Sequence, residues 1–374
     1  MIATYYIHNF KNHKDTSLSL SHLNIFTGLN GMGKSSVIQS LLLLRDSYFK
    51  DPSLSTLYLN TDSVDVGYSS DLVNCNIEKG QDQEVLRLEL VDRQQKLNFA
   101  YRYIVGNEDI LQAVDGAGLV NQEIMKQCPL FTDDFQYLSA FRSGPQQIYS
   151  SSSIVERHRQ VSQKMGMGEY AVYFLHKFQN EDIPITDLMY PGSSSRSLYD
   201  QTELWMTEIS KGIKFQLNQI GKNVELSFGY ERTGRPTVYH SAMNTGYGVS
   251  YILSVIVSVL SAKPGSLIII ENPESHIHPS GQAALMHMIA IAAKRGVQFI
   301  IETHSDHIVN GALVNSKKGV IDKEDIRIYF FDVDENLNAT STLLKIEECG
   351  RIQEAPSGFF DQMDADTEVL FDLV

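Results

Sequence analysis

Apolar and polar positions along the chain follow two periodicities, separated by a stretch of different texture. Residues 1 to 27 alternate as two short strands, and Ser36 to Tyr48 carries its apolar residues at helical spacing. From Ser63 to Val105, short alternating runs divided by polar turns (Val64 to Val66, Val85 to Leu90, Leu97 to Tyr101) predict antiparallel strands. Residues 150 to 220 read as helical, with punctuation at Gly166 to Gly168 and Pro191 to Ser195. The last third predicts a helix over Val249 to Leu260, a strand over Leu267 to Ile270 and a helix over Gly281 to Lys294. A strand over Val297 to Ile301, a helix over Asp306 to Val314 and a strand over Ile326 to Phe331 follow. This alternation is the rhythm of a layered α/β sheet, so the expected fold class is α/β, with a middle of different character inserted between two parts of one core.

Composition changes this picture little. With 374 residues, 43% hydrophobic and 20% charged, the chain can bury one large core or two smaller ones. A formal net charge of -14 argues against a surface that grips nucleic acid everywhere, although a local basic patch is compatible with it. Cys75, Cys128 and Cys349 are odd in number and far apart, which suits a reducing cytosol and neither a disulfide framework nor a zinc site. The N-terminus lacks the features of a secretory signal, and Val249 to Leu260 is too short and serine-dotted to span a bilayer, so a cytoplasmic protein without membrane attachment is expected.

The strongest chemical signal is Gly28-Leu-Asn-Gly-Met-Gly33-Lys34-Ser35-Ser36, a phosphate-binding loop placed between a strand and a helix. Glycines let backbone N–H groups close around phosphates, Lys34 reaches the outer ones, and the Ser35 hydroxyl is suited to Mg²⁺. Asn30, Gly31, Gly33, Lys34, Ser35 and Ser36 are therefore the expected phosphate-binding residues. Downstream, Leu267-Ile-Ile-Ile270-Glu271-Asn272-Pro273-Glu274 is an apolar run ending in a carboxylate, the form of the second nucleotide motif. Glu271 would stand beside the phosphates and, with Ser35, hold Mg²⁺. The gap between Lys34 and Glu271 is too wide for a compact NTPase, so an insertion must divide the core.

Together with Asn9-Phe10-Lys11, the segment Asn244 to Ser250, Ile270 to Pro279 and Glu302-Thr303-His304-Ser305, these motifs resemble the ABC-type ATPases of the SMC, RecF and OLD kind. The tail from Gly350 to Asp361 resembles a short C-terminal module of one subgroup. The resemblance implies a P-loop NTPase core with an antiparallel-strand subdomain, in two parts (1–149 and 221–340), with a helical arm at 150–220 and the module at 341–374. It also implies ATP with Mg²⁺, and a head-to-tail homodimer in which Gly246, Gly248 and Ser250 form a signature loop facing the partner's nucleotide. His304 would be the switch histidine. Arg142, in Tyr137 to Pro145, matches a further segment of the subgroup, where a phosphate, a neighbouring subunit and a structural salt bridge are alternative partners.

One position departs from the pattern. The residue after the Mg²⁺ carboxylate is usually a glutamate that polarises water, and here it is Asn272, which can orient water but not take its proton. Catalytic roles are accordingly expected at Asn272, Glu274 and His304, with slow hydrolysis by Asn272 first, hydrolysis through Glu274 second, and binding without turnover third. Glu274, His276 and His278 alternate as a metal site would, but the resemblance puts these histidines near the dimer seam. The functional expectation is a switch or scaffold ATPase of a bacterial antiphage defence complex, with a separate effector such as a nuclease or other toxin. A DNA-clamping repair ATPase, using Arg157, His158, Arg159 and Lys164, and a non-hydrolysing interaction module are the alternatives.

Overall fold

The computed structural model describes residues 1–72, 74, 85–92, 95–104, 106–114, 122–347, 350–356, 358–361, 366–367 and 369–371. Cys75, Cys349, Val105 and Ser357 lie outside these, and Cys128 is buried.

A hairpin of β1 (Ile2–Phe10) and β2 (His13–Ser19) leads into β3 (Leu23–Gly28), the phosphate loop and α1 (Lys34–Lys50). There follow β4 (Thr56–Tyr58), α2 (Ser69–Leu72), β5 (Leu86–Asp92), β6 (Gln95–Ile104), β7 (Asn107–Ala113), α3 (Gln122–Met125) and β8 (Phe135–Leu138). The middle holds α4 (Ser153–His158), α5 (Ala171–Phe178), α6 (Leu198–Ile209) and the strands β9 (Ile213–Ile220), β10 (Asn223–Tyr230) and β11 (Tyr239–Ser241). The last part runs α7 (Tyr247–Leu260), β12 (Leu267–Glu271), α8 (Pro279–Lys294), β13 (Gln298–Glu302), α9 (Asp306–Lys317), β14 (Ile326–Val333), β15 (Ala339–Ile346) and β16 (Ile352–Gln353).

A seven-stranded sheet in the order β16-β15-β14-β3-β13-β12-β8 is the spine. Its strands from β14 to β8 are parallel, so their carboxyl ends share one edge. Side chains alternate between two cores. Ile268 and Ile270 of β12, with Leu23 and Ile25 of β3, face the core built with α5 to α9. Leu267 and Ile269, with Phe26, face the core shared with α1 and a six-stranded antiparallel sheet, β2-β1-β5-β6-β7-β4. Burial on both faces is why these strands read as continuous apolar runs.

Three sequence expectations are corrected. Val64 to Val66 forms no strand; the nearby pairing is a single bridge between Asn60 and Asp65, and β4 precedes it. The helical reading of 150 to 220 fails over Ile213–Ile220, which pairs antiparallel with β10, because Ile213, Phe215 and Leu217 alternate at the two-residue period. The stretch expected as an arm is drawn into the core, where Val172, Phe174, Leu175, Trp205 and Met206 pack with α7 and α8.

Candidate nucleotide site

The phosphate loop owes its shape to glycines whose replacement has no room. Gly28 has φ 132° and a Cβ there would stand 2.2 Å from the Phe331 carbonyl oxygen; Gly33 has φ 104° and would strike the His13 ring at 2.8 Å. Gly31, at φ 81°, faces open space. His13 fastens the loop. Its Nε2 donates to the Gly33 carbonyl at 2.9 Å, which leaves Nδ1 to accept from the Thr16 hydroxyl at 2.8 Å. Burial holds this imidazole down at about 4. Asn12 donates to the Gly31 carbonyl, so the turn after Asn9-Phe10-Lys11 packs beside the loop.

Lys34 is buried under the loop and donates to the carbonyls of Gly28 and Leu29 at 2.9 and 2.6 Å. Asn30, Gly31 and Ser35 are exposed around it and Ser36 is half-buried. Ser35 Oγ donates to Glu302 Oε1 at 2.8 Å. Glu302, which the sequence reading did not single out, ends β13, the strand between β3 and β12. Its carboxyl is pushed up to about 7 by burial, aided by Glu271 and Glu274 and opposed by the Ser35 hydrogen bond and Lys34. The signal for it was its place in Glu302-Thr303-His304-Ser305, directly after an apolar strand.

Glu271 ends β12, in register with Glu302 but one strand further from the loop. Burial raises its pKa, and its two oxygens accept from the Tyr137 hydroxyl at 3.0 Å and the Ala140 amide at 3.2 Å. Asn272 adopts a left-handed conformation (φ 44°), and its amide donates to the Glu302 carbonyl. Glu274 Oε1 accepts from the His304 amide at 3.0 Å, which joins two expected catalytic residues. The His304 imidazole is depressed by partial desolvation and then by the Lys34 ammonium. Ser305 caps α9. Among the described residues Arg142 pairs with no carboxylate side chain; it is buried and donates to the carbonyls of Ser139, Glu271 and Asn272.

The signature segment stands apart, at the start of α7. Gly246 faces open space and Tyr247 is exposed, but a Cβ on Gly248 would lie 2.2 Å from the His276 carbonyl oxygen, and Ser250 is buried. Ser254 and Ser258 are buried too, and Gly168 packs on Ser254. His276 and His278 are exposed, and His278 caps α8 by accepting from the Ser280 amide. On α4 and the turn after it, His158 pairs with Asp133 and Arg159 with Glu181. A cavity of about 300 Å³ lies between Thr27, Gly28, Leu29 and His304 on one side and Phe359, Phe360 and Asp361 of the tail on the other.

The residues fit a nucleoside triphosphate with a divalent cation. The glycine cradle admits no Cβ at Gly28 or Gly33, an ammonium lies beneath it, and a hydroxyl and carboxylates converge at its rim.

Residues 23–310 match the family described as "AAA domain, putative AbiEii toxin, Type IV TA system", and residues 321–370 match "Protein of unknown function (DUF3696)". No curated protein matches. Among solved structures, an SMC head bound to the C-winged helix domain of ScpA is 13% identical with a TM-score of 0.52, covering 93% of this chain and 98% of that one. The SMC head domain with an extended coiled coil, bound to the C-terminal domain of ScpA and derived from Pyrococcus furiosus, is 12% identical with a TM-score of 0.51, covering 100% and 99%. The fold is thus that of an SMC-head-like P-loop NTPase. Among the described residues, no helix is long and apolar enough to cross a membrane.

Proposed function

Because this chain belongs to the AAA-domain family described as putative AbiEii toxin, Type IV TA system, we propose that it binds ATP with Mg²⁺ and hydrolyses it slowly, as a nucleotide-controlled switch. The observation that carries this reading is the 2.8 Å hydrogen bond from Ser35 to Glu302, which brings the phosphate loop and a far-downstream strand end onto one point. Lys34 would hold the outer phosphates, with Asn30, Gly31, Gly33 and Ser36 supplying the cradle. Mg²⁺, held by Ser35 and a strand-end carboxylate, would offset phosphate charge.

For the water, Asn272 is the positioner and Glu274 the second candidate, a carboxylate whose second oxygen lacks a protein partner among the described residues. Without a strong base at the Asn272 position turnover is slow, and a long-lived bound state suits a switch read by another protein. The exposed Leu29, Phe141 and Tyr247 around the site support a face for a second copy, with Gly246 and Gly248 presented to the partner's nucleotide. The toxin–antitoxin wording of the family description supports a separate effector, in an antiphage defence complex. The salt bridge of Arg159 to Glu181, with the contact of His158 to Asp133, weakens the DNA-clamp alternative.

Phosphate release by wild type, Lys34→Ala, Asn272→Ala and Glu274→Gln tests the reaction. Slow release by wild type, lost in Lys34→Ala and further slowed in Asn272→Ala, is expected. Loss in Glu274→Gln alone moves the base to Glu274, and nucleotide binding without any release makes the chain a non-hydrolysing module. Copurification with the product of the adjacent gene in the presence of ATP tests the partner; recovery of DNA and no protein would overturn the defence role.

A further inference from the structure

The carboxylate expected beside Mg²⁺ is the one ending the second-motif strand, Glu271, yet the geometry separates it from the phosphate loop by a whole strand. β13 lies between β12 and β3, and its own terminal carboxylate, Glu302, is the acid that touches Ser35. The two acids also differ in what their oxygens do. Both oxygens of Glu271 accept from protein donors, Tyr137 and Ala140, and its main-chain carbonyl is held by Arg142. Glu302 is 5% exposed; one oxygen accepts from Ser35 and the other, Oε2, has no hydrogen-bond partner among the described residues.

A buried carboxylate oxygen without a donor is costly unless a cation meets it. Lys34 does not serve here, since it donates to the Gly28 and Leu29 carbonyls. Oε2 of Glu274 is likewise buried and without a partner among the described residues, and Glu274 acts electrostatically on Glu302, so two bare acidic oxygens belong to one acidic cluster suited to a hard divalent ion.

We propose that Glu302, with Ser35, holds the divalent cation of this site, and that Glu271 is a positioning acid fixed by Tyr137 and Ala140. This rests on the ATP–Mg²⁺ reading above. The consequence is that Glu302, on the strand next to the phosphate-loop strand, would carry the role that the motif order gives to Glu271.

The test uses the full chain with ADP and Mn²⁺, reading bound Mn²⁺ by electron paramagnetic resonance and nucleotide affinity in EDTA by a fluorescent ADP analogue. Glu302→Gln should weaken Mn²⁺ binding at least about tenfold while leaving ADP affinity in EDTA unchanged, and Glu271→Gln should keep Mn²⁺ within about threefold of wild type. Wild-type Mn²⁺ affinity in Glu302→Gln overturns the proposal. So does loss of Mn²⁺ in a folded Glu271→Gln with Glu302 intact, which decides the matter even where Glu302→Gln does not fold. Wild type that binds no ADP in either condition defeats the nucleotide reading itself, whereas ADP and Mn²⁺ binding indifferent to Glu302 defeats only this assignment.

Discussion

Arg142 Nη1 donates to the Glu271 carbonyl at 2.6 Å, and this bond ties the loop after β8 to the end of β12. The guanidinium also lies 4.8 Å from the Tyr251 ring centroid on α7, and the Tyr251 hydroxyl donates to the Ala140 carbonyl. The strand end that carries Glu271 and Asn272 is therefore mechanically joined to α7. Arg142→Ala removes a donor from three carbonyls, of which that of Asn272 keeps the Ser275 amide, and should cost about 2 kcal/mol or more of folding stability. The urea midpoint checks it; an unchanged midpoint would show that water replaces the guanidinium freely.

Gly246 and Gly248, the glycines expected in a signature loop, differ in what they answer to. Gly248→Ala forces a Cβ to within 2.2 Å of the His276 carbonyl oxygen, so the turn before α8 must shift, and a loss of about 2 kcal/mol or more is expected. Gly246→Ala meets nothing within 4 Å and should fold as wild type, so any loss of ATP-dependent dimerisation in that variant reports on the partner's site. Thermal unfolding and light scattering with ATP separate the two effects.

His13 sets a pH dependence. Its folded value, about 4, lies below the ordinary imidazole value of 6.5, so the neutral ring is the one the fold accepts. The stability it contributes is fully present above pH 6.5 and is lost as pH falls through 4, a difference of about 3 kcal/mol. His13→Gln, which cannot charge, should flatten the decline in denaturation free energy between those values; an equally steep decline would place the acid sensitivity elsewhere.

Much of the fold was legible in the sequence because its spine is parallel and buried. Leu267-Ile-Ile-Ile270 and the helices around it carry strong periodicities, and α7, α8, α9, β12, β13 and β14 fall within a few residues of their expected places. β9 was hidden because its second half is polar and exposed, leaving only Ile213, Phe215 and Leu217 to show the alternation. The phosphate loop was legible since its glycines and Lys34 act through local geometry. Glu302 and His13 were not, because their meaning depends on strand order: only with β13 beside β3 does Glu302 meet Ser35, and only with β2 folded back does His13 reach Gly33. The serines that dot α7 were visible in the sequence, but the approach of Gly168 to Ser254 comes from a segment far away in the chain.

The central claim is that the loop around Lys34 and the strand ends carrying Glu271 and Glu302 form one nucleotide site. Equilibrium dialysis of purified protein with radiolabelled ATP and Mg²⁺, for wild type and Lys34→Ala, tests it most directly. The account predicts one ATP retained per chain by wild type and a loss of at least about tenfold in affinity for the variant. No retention by wild type, or equal retention by both, would contradict it.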